Sequence, residues 1–92
     1  MIGDDAAALT VGGEDGARRT VKTLAEALIV AERTISESRP ERVQLADDSD
    51  LALAAALAAA KLDLPVSATA AALAAPTTNG RLIARLAAER GA

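Results

Sequence analysis

The stretch Pro40–Val66, PERVQLADDSDLALAAALAAAKLDLPV, decides the fold. Val43 and Leu45 stand two apart in a short apolar run from Arg42 to Ala46, the alternation of a strand. Asp47, Asp48, Ser49 and Asp50 are residues that start helices, because their side-chain oxygens accept the amide protons left open at a first turn. Leu51 to Leu62 is almost all alanine and leucine, with strong helix propensity throughout. Leu64-Pro65-Val66 opens a second apolar run. Strand, capped helix and strand in this order form the unit of parallel sheets.

Upstream of this unit, Ala17–Ser38 predicts a long amphipathic helix. Val21, Leu24, Leu28 and Ile35, with Ala25 and Ala31 between them, form its apolar stripe, and Ile29 and Val30 widen the apolar surface. Pro40 ends it, since the residue before a proline is pushed out of the helical region. Ala6–Val11 is a candidate first strand, and Gly12–Gly16 a loop without the spacing of a phosphate-binding motif. Met1–Asp5 reads as a loose terminus. Downstream, Val66–Ala70 is a candidate third strand, although its alanines also suit a helix. Pro76–Gly80 reads as a turn, and Arg81–Arg90 as a last amphipathic helix with Leu82, Ile83, Leu86 and Ala87 inward.

The expected fold is therefore a single α/β domain over residues 1–92, with a small three-stranded parallel sheet and helices packed on it. The alternative is an all-α four-helix bundle with helices near residues 17–38, 50–62, 66–75 and 81–90. Strand propensity at Leu9–Val11, Val43–Ala46 and Val66–Ala68 separates the two.

Composition narrows the function. The 92 residues contain no cysteine, histidine or aromatic residue, and the net charge is −3. Without cysteine there is no disulfide framework and no thiolate metal site. Without histidine a Ser-His-Asp hydrolase is excluded within the chain, and so is the commonest transition-metal ligand. Nucleic acids ask for a basic face and for aromatic residues on which bases stack, and neither is present. The alanine–leucine run is too short to span a bilayer and the start has no secretory pattern, so a cytoplasmic protein without membrane contact is expected. No cofactor is implied. A core of Leu, Ile, Val and Ala buries little area per residue, which makes a lone domain marginal and points to self-association or a protein partner.

The Asp47–Asp50 cluster has a structural and a chemical explanation. Carboxylates at a helix start accept backbone N–H bonds and suit the positive end of the dipole, with Ser49 or Asp50 as N-cap. The same cluster sits at the carboxyl end of a parallel strand, where α/β proteins place ligands and catalysis. On that second account Asp48 is the candidate catalytic residue, with Asp47 and Asp50 binding ligand. The D-D-S-D spacing lacks the glycine and distal glutamate of a calcium loop, and no metal site is expected.

From Arg39 to Leu73 the chain resembles the amino-terminal domain of the non-hydrolysing UDP-N-acetylglucosamine 2-epimerases. Arg39-Pro40-Glu41 stands at that family's "KPD" turn, Ala46-Asp47-Asp48-Ser49 at its "GDT", and Leu51–Val66 at its alanine-rich helix and next strand. Asp48 falls on the family's aspartate and Arg81 on the arginine of "PEExNR". The resemblance thus implies a nucleotide-sugar ligand at Asp48 and Arg81, beside the Asp47 and Asp50 of the acidic cluster. The departures fall on the chemistry. Ala68 and Ala70 replace the histidine and glutamate of "HVEAG", and Thr77 and Thr78 replace both glutamates of "PEExNR". One carboxylate is a poor basis for both removing and returning a proton.

A non-catalytic domain that associates with itself or with another protein is the expected function. A small enzyme or nucleotide-sugar-binding subunit using Asp47 and Asp48 is the alternative. For association, Ala54, Ala55 and Ala58 on one face of the central helix are the candidate interface, since small side chains let a second helix approach closely.

Overall fold

The computed structural model describes residues 2–4, 8–12 and 20–90. Eight elements follow in order: β1 (Ile2–Asp4), β2 (Ala8–Val11), α1 (Val21–Ser38), β3 (Arg42–Leu45), α2 (Asp50–Lys61), β4 (Val66–Ala68), α3 (Ala70–Ala74) and α4 (Thr78–Arg90). The sheet runs β1-β2-β3-β4, with β2, β3 and β4 parallel and β1 antiparallel to β2. The three-stranded parallel sheet with helices packed on it is therefore present, and the all-α bundle is not the fold. One strand was not anticipated: Ile2–Asp4 pairs with β2 where a loose terminus was expected. The glycine loop beyond Gly12 and the expected helical turn before Thr20 lie outside the described residues.

Register sorts the strand residues into two faces. Leu9, Val43 and Val66 lie side by side across the parallel strands, and Val11, Leu45 and Ala68 form the next matching row. All six join the hydrophobic core or pack against it. Between them lies the row Thr10, Gln44 and Ser67, half-buried on the opposite face. Strand order keeps moving in one direction through two crossovers, β2-α1-β3 and β3-α2-β4. Right-handed crossovers of this kind put both helices on the same side. Accordingly α2 lies over the parallel strands, α1 packs along one flank of α2, and α4 packs on α2, α3 and β4.

The helix α2 is buried from several directions: Ala52, Leu53, Ala54, Ala55, Ala56 and Ala59 are all core residues. This corrects the interface expectation. Ala54 and Ala55 are covered by the chain's own sheet and helices, and only Ala58 is half-exposed. Alanine's small side chain does permit close helix approach, but the helices that approach belong to the same chain.

The stripe on α1 holds at Ala31, Ile35 and the half-buried Leu24, but not at Val21, Ala25 or Leu28. Ala27, Ala31 and Ile35 are buried, whereas Val21 is 86% exposed and Leu28 and Ala25 face outward. Small Ala27 and Ala31 join the larger Ile35 and Leu24 on the side of α1 that meets the core. In α4, Ile83 is fully buried with Leu86 and Ala87 beside it, while Leu82 is 47% exposed.

Helix ends follow their caps. At α1, Thr20 Oγ1 accepts the Thr23 amide at 3.0 Å and Thr23 Oγ1 accepts the Thr20 amide at 3.0 Å, a reciprocal capping box. Arg39 closes α1 in the left-handed region at φ 48°, its amide bonded to the Ile35 carbonyl. Ser49 caps α2 by accepting the Ala52 amide. Thr69 ends β4 and caps α3, so the expected strand to Ala70 stops at Ala68. Thr77 Oγ1 accepts the Gly80 amide, and α4 begins at Thr78 inside the expected turn.

Candidate functional site

Two places carry features that a function can use: the carboxyl edge of the parallel strands, and a groove on the outer surface of the helix layer.

At the carboxyl edge, β3 runs into Asp47–Asp50 and each carboxylate is engaged. Asp47 Oδ1 accepts the Ser49 amide at 2.9 Å, forming the turn that leads into α2. Gly12, at the end of β2, comes so close that a Cβ there would sit 2.4 Å from that same Oδ1, and its φ of 94° also favours glycine. Asp48 Oδ2 accepts the Thr77 hydroxyl at 2.6 Å, and the Asp48 carbonyl accepts Asn79 Nδ2 at 3.0 Å. Asp50 is 4% exposed. Its Oδ2 accepts the Thr20 amide and the Thr23 hydroxyl, while Oδ1 accepts Asn79 Nδ2 at 2.8 Å. One carboxylate thus joins the first turns of α1, α2 and α4. Among the described residues no acidic group of three or more is arranged to hold a metal ion.

The structure brings Asp47, Asp48 and Asp50 together, as expected from their adjacency, but ties them into turns and helix starts. Arg81 lies exposed on α4, and no hydrogen bond or ion pair links its guanidinium to any described carboxylate. The partners of the cluster, Thr20, Thr23, Thr77 and Asn79, were missed. The sequence does hold a signal for them: threonines three apart ahead of an apolar helix, and Thr77 three residues before Gly80, are N-terminal capping patterns.

On the outer surface, α1 and α2 part to leave an open groove of roughly 400 Å³. Leu28, Ile29, Glu32 and Ser36 form one wall; Leu57, Ala58, Lys61 and Leu62 form the other. Both helices end at the same edge of the sheet, because both connect parallel strands. Ile29 is 64% exposed and Leu62 51%, with Leu28 and Leu57 partly exposed beside them. Four large aliphatic side chains therefore meet solvent in one concavity, flanked by one acid and one base. Isolated exposed apolar residues need no explanation; these four are contiguous and polar-rimmed. No helix among the described residues is long and apolar enough to cross a membrane.

Comparison with known proteins finds no matching family model, no matching curated protein and no matching solved structure.

Proposed function

We propose that this chain is a non-catalytic α/β domain that acts by binding protein, and that it binds through the groove between α1 and α2. The observation that carries this is the exposure of Leu28, Ile29, Leu57 and Leu62 in a single groove. Burying such side chains removes apolar surface from water, worth about 25 cal/mol per Å² before the costs of association. The carboxyl edge supports the same conclusion from the other side. A catalytic acid or base must reach a substrate proton, whereas Asp48 and Asp50 are occupied in joining helix starts.

A photo-crosslinking amino acid at Ile29, with a control at Gln44 on the far face of the sheet, tests the groove in cells that express the full chain. Covalent protein adducts from position 29 that disappear with Leu62→Glu, and none from position 44, are the expected outcome. Equal adducts from both positions, or none from position 29, would rule the groove out. The nucleotide-sugar alternative predicts heat on titrating UDP-N-acetylglucosamine into the protein, abolished by Asp48→Asn. Proposed here is no heat with the unmutated chain.

A further inference from the structure

We propose that the occupant of the groove is a second copy of this chain, docked about a two-fold axis parallel to α1 and α2. The proposal rests on the groove being a docking surface and adds the identity and orientation of the partner. Charge placement argues for it. Glu32 stands on the α1 wall and Lys61 on the α2 wall, both exposed, and neither makes an ion pair with a described residue. The groove therefore carries opposite charges on its opposite sides.

Such a surface complements itself in one of its two symmetric arrangements. A two-fold axis along the helices lays α1 of each copy over α2 of the other. Glu32 then faces Lys61 of the other copy, and by symmetry this happens twice. The apolar side chains follow the same exchange, Leu28 and Ile29 of one copy meeting Leu57 and Leu62 of the other. A two-fold axis across the helices instead lays α1 on α1 and brings like charges together, Glu32 towards Glu32 and Lys61 towards Lys61. Opposite charges face to face steer encounter and fix register, while like charges oppose it. The symmetric pair thus selects the axis that runs along the helices.

The test is sedimentation equilibrium of the full chain across micromolar to millimolar concentrations. The unmutated chain is expected to approach twice its monomer mass, with weaker association at higher salt. Glu32→Lys and Lys61→Glu alone should each weaken dimerisation roughly tenfold or more by facing like charges. The double variant should recover it. An equimolar mixture of the two single variants should also dimerise, since each then offers what the other lacks. Both residues are exposed, so unchanged thermal melts are expected and will separate lost docking from lost folding. A monomer at every concentration, or a dimer indifferent to both charge reversals, overturns the proposal. If the position-29 crosslink gives an adduct of another mass, the groove remains a docking surface but the second copy is the wrong occupant.

Discussion

Removing the Asp50 carboxylate should cost more stability than its place among solvent-facing helix starts suggests. In Asp50→Ala, the Thr20 amide, the Thr23 hydroxyl and Asn79 Nδ2 each lose one of two acceptors. A hydrogen bond to a charged group contributes about 1.5–3 kcal/mol. The Thr20 amide retains Thr23 Oγ1 and the Thr23 hydroxyl retains the Thr20 carbonyl, so those two count at the low end or below. The expected loss is about 4 kcal/mol, against total stabilities of roughly 5–15 kcal/mol for small domains. Asp50→Asn retains one acceptor oxygen but aims an NH₂ at other donors, and should cost about 2 kcal/mol. Urea denaturation followed by helical circular dichroism measures both, with midpoints falling in that order. Asn79→Ala combined with Asp50→Ala should cost less than the two separately, because the pair shares a bond. If Asp50→Ala costs under about 1 kcal/mol, or if the two substitutions add fully, Asp50 does not hold the three helix starts together.

Three further substitutions address the backbone and the core. Gly80→Ala should destabilise by about 2 kcal/mol in the same denaturation assay, despite alanine's higher helix propensity, because its Cβ would meet the Ala75 carbonyl oxygen at 2.3 Å. Arg39→Gly should raise stability by about 0.5–1 kcal/mol, since Arg39 occupies the left-handed region that glycine adopts without steric cost. Ala55→Glu should abolish the cooperative thermal melt altogether, because a carboxylate at a position 1% exposed costs several kcal/mol. A variant that still melts cooperatively as a lighter species would instead restore Ala55 to an intermolecular interface.

The strand–helix–strand unit was legible because its signals are local. Val43 and Leu45 alternate, Ser49 caps within three residues, and the alanine–leucine run admits only a helix. Misjudged elements depend on partners far away in the chain. Ile2–Asp4 is three residues with a central glycine, and becomes a strand only because β2 offers it an edge. Asp50 finds its hydrogen-bond partners 27 to 30 residues away, so spacing within the acidic cluster could not reveal its role. On α1 the expected stripe holds at Leu24, Ala31 and Ile35, while Val21, Ala25 and Leu28 face outward and Ala27, outside the stripe, is buried. A hydropathy pattern weighs residues by apolarity alone, and so passes over a buried alanine such as Ala27. Ile29 and Val30 widen the apolar surface of α1, and Ile29 lies in the groove.

Alanine in α2 has a consequence for how the groove responds to whatever enters it. An alanine side chain has no rotamers, so it loses no side-chain entropy on folding and has no alternative conformer to offer afterwards. Beneath the groove, Ala54, Ala55 and Ala59 give α2 a rigid underside that cannot rearrange by rotating bonds. Adjustment to a partner is left to the few long side chains at the rim. The stiffness lies in α2 and the freedom in Leu28, Ile29, Leu57 and Leu62, which still have rotamers to change.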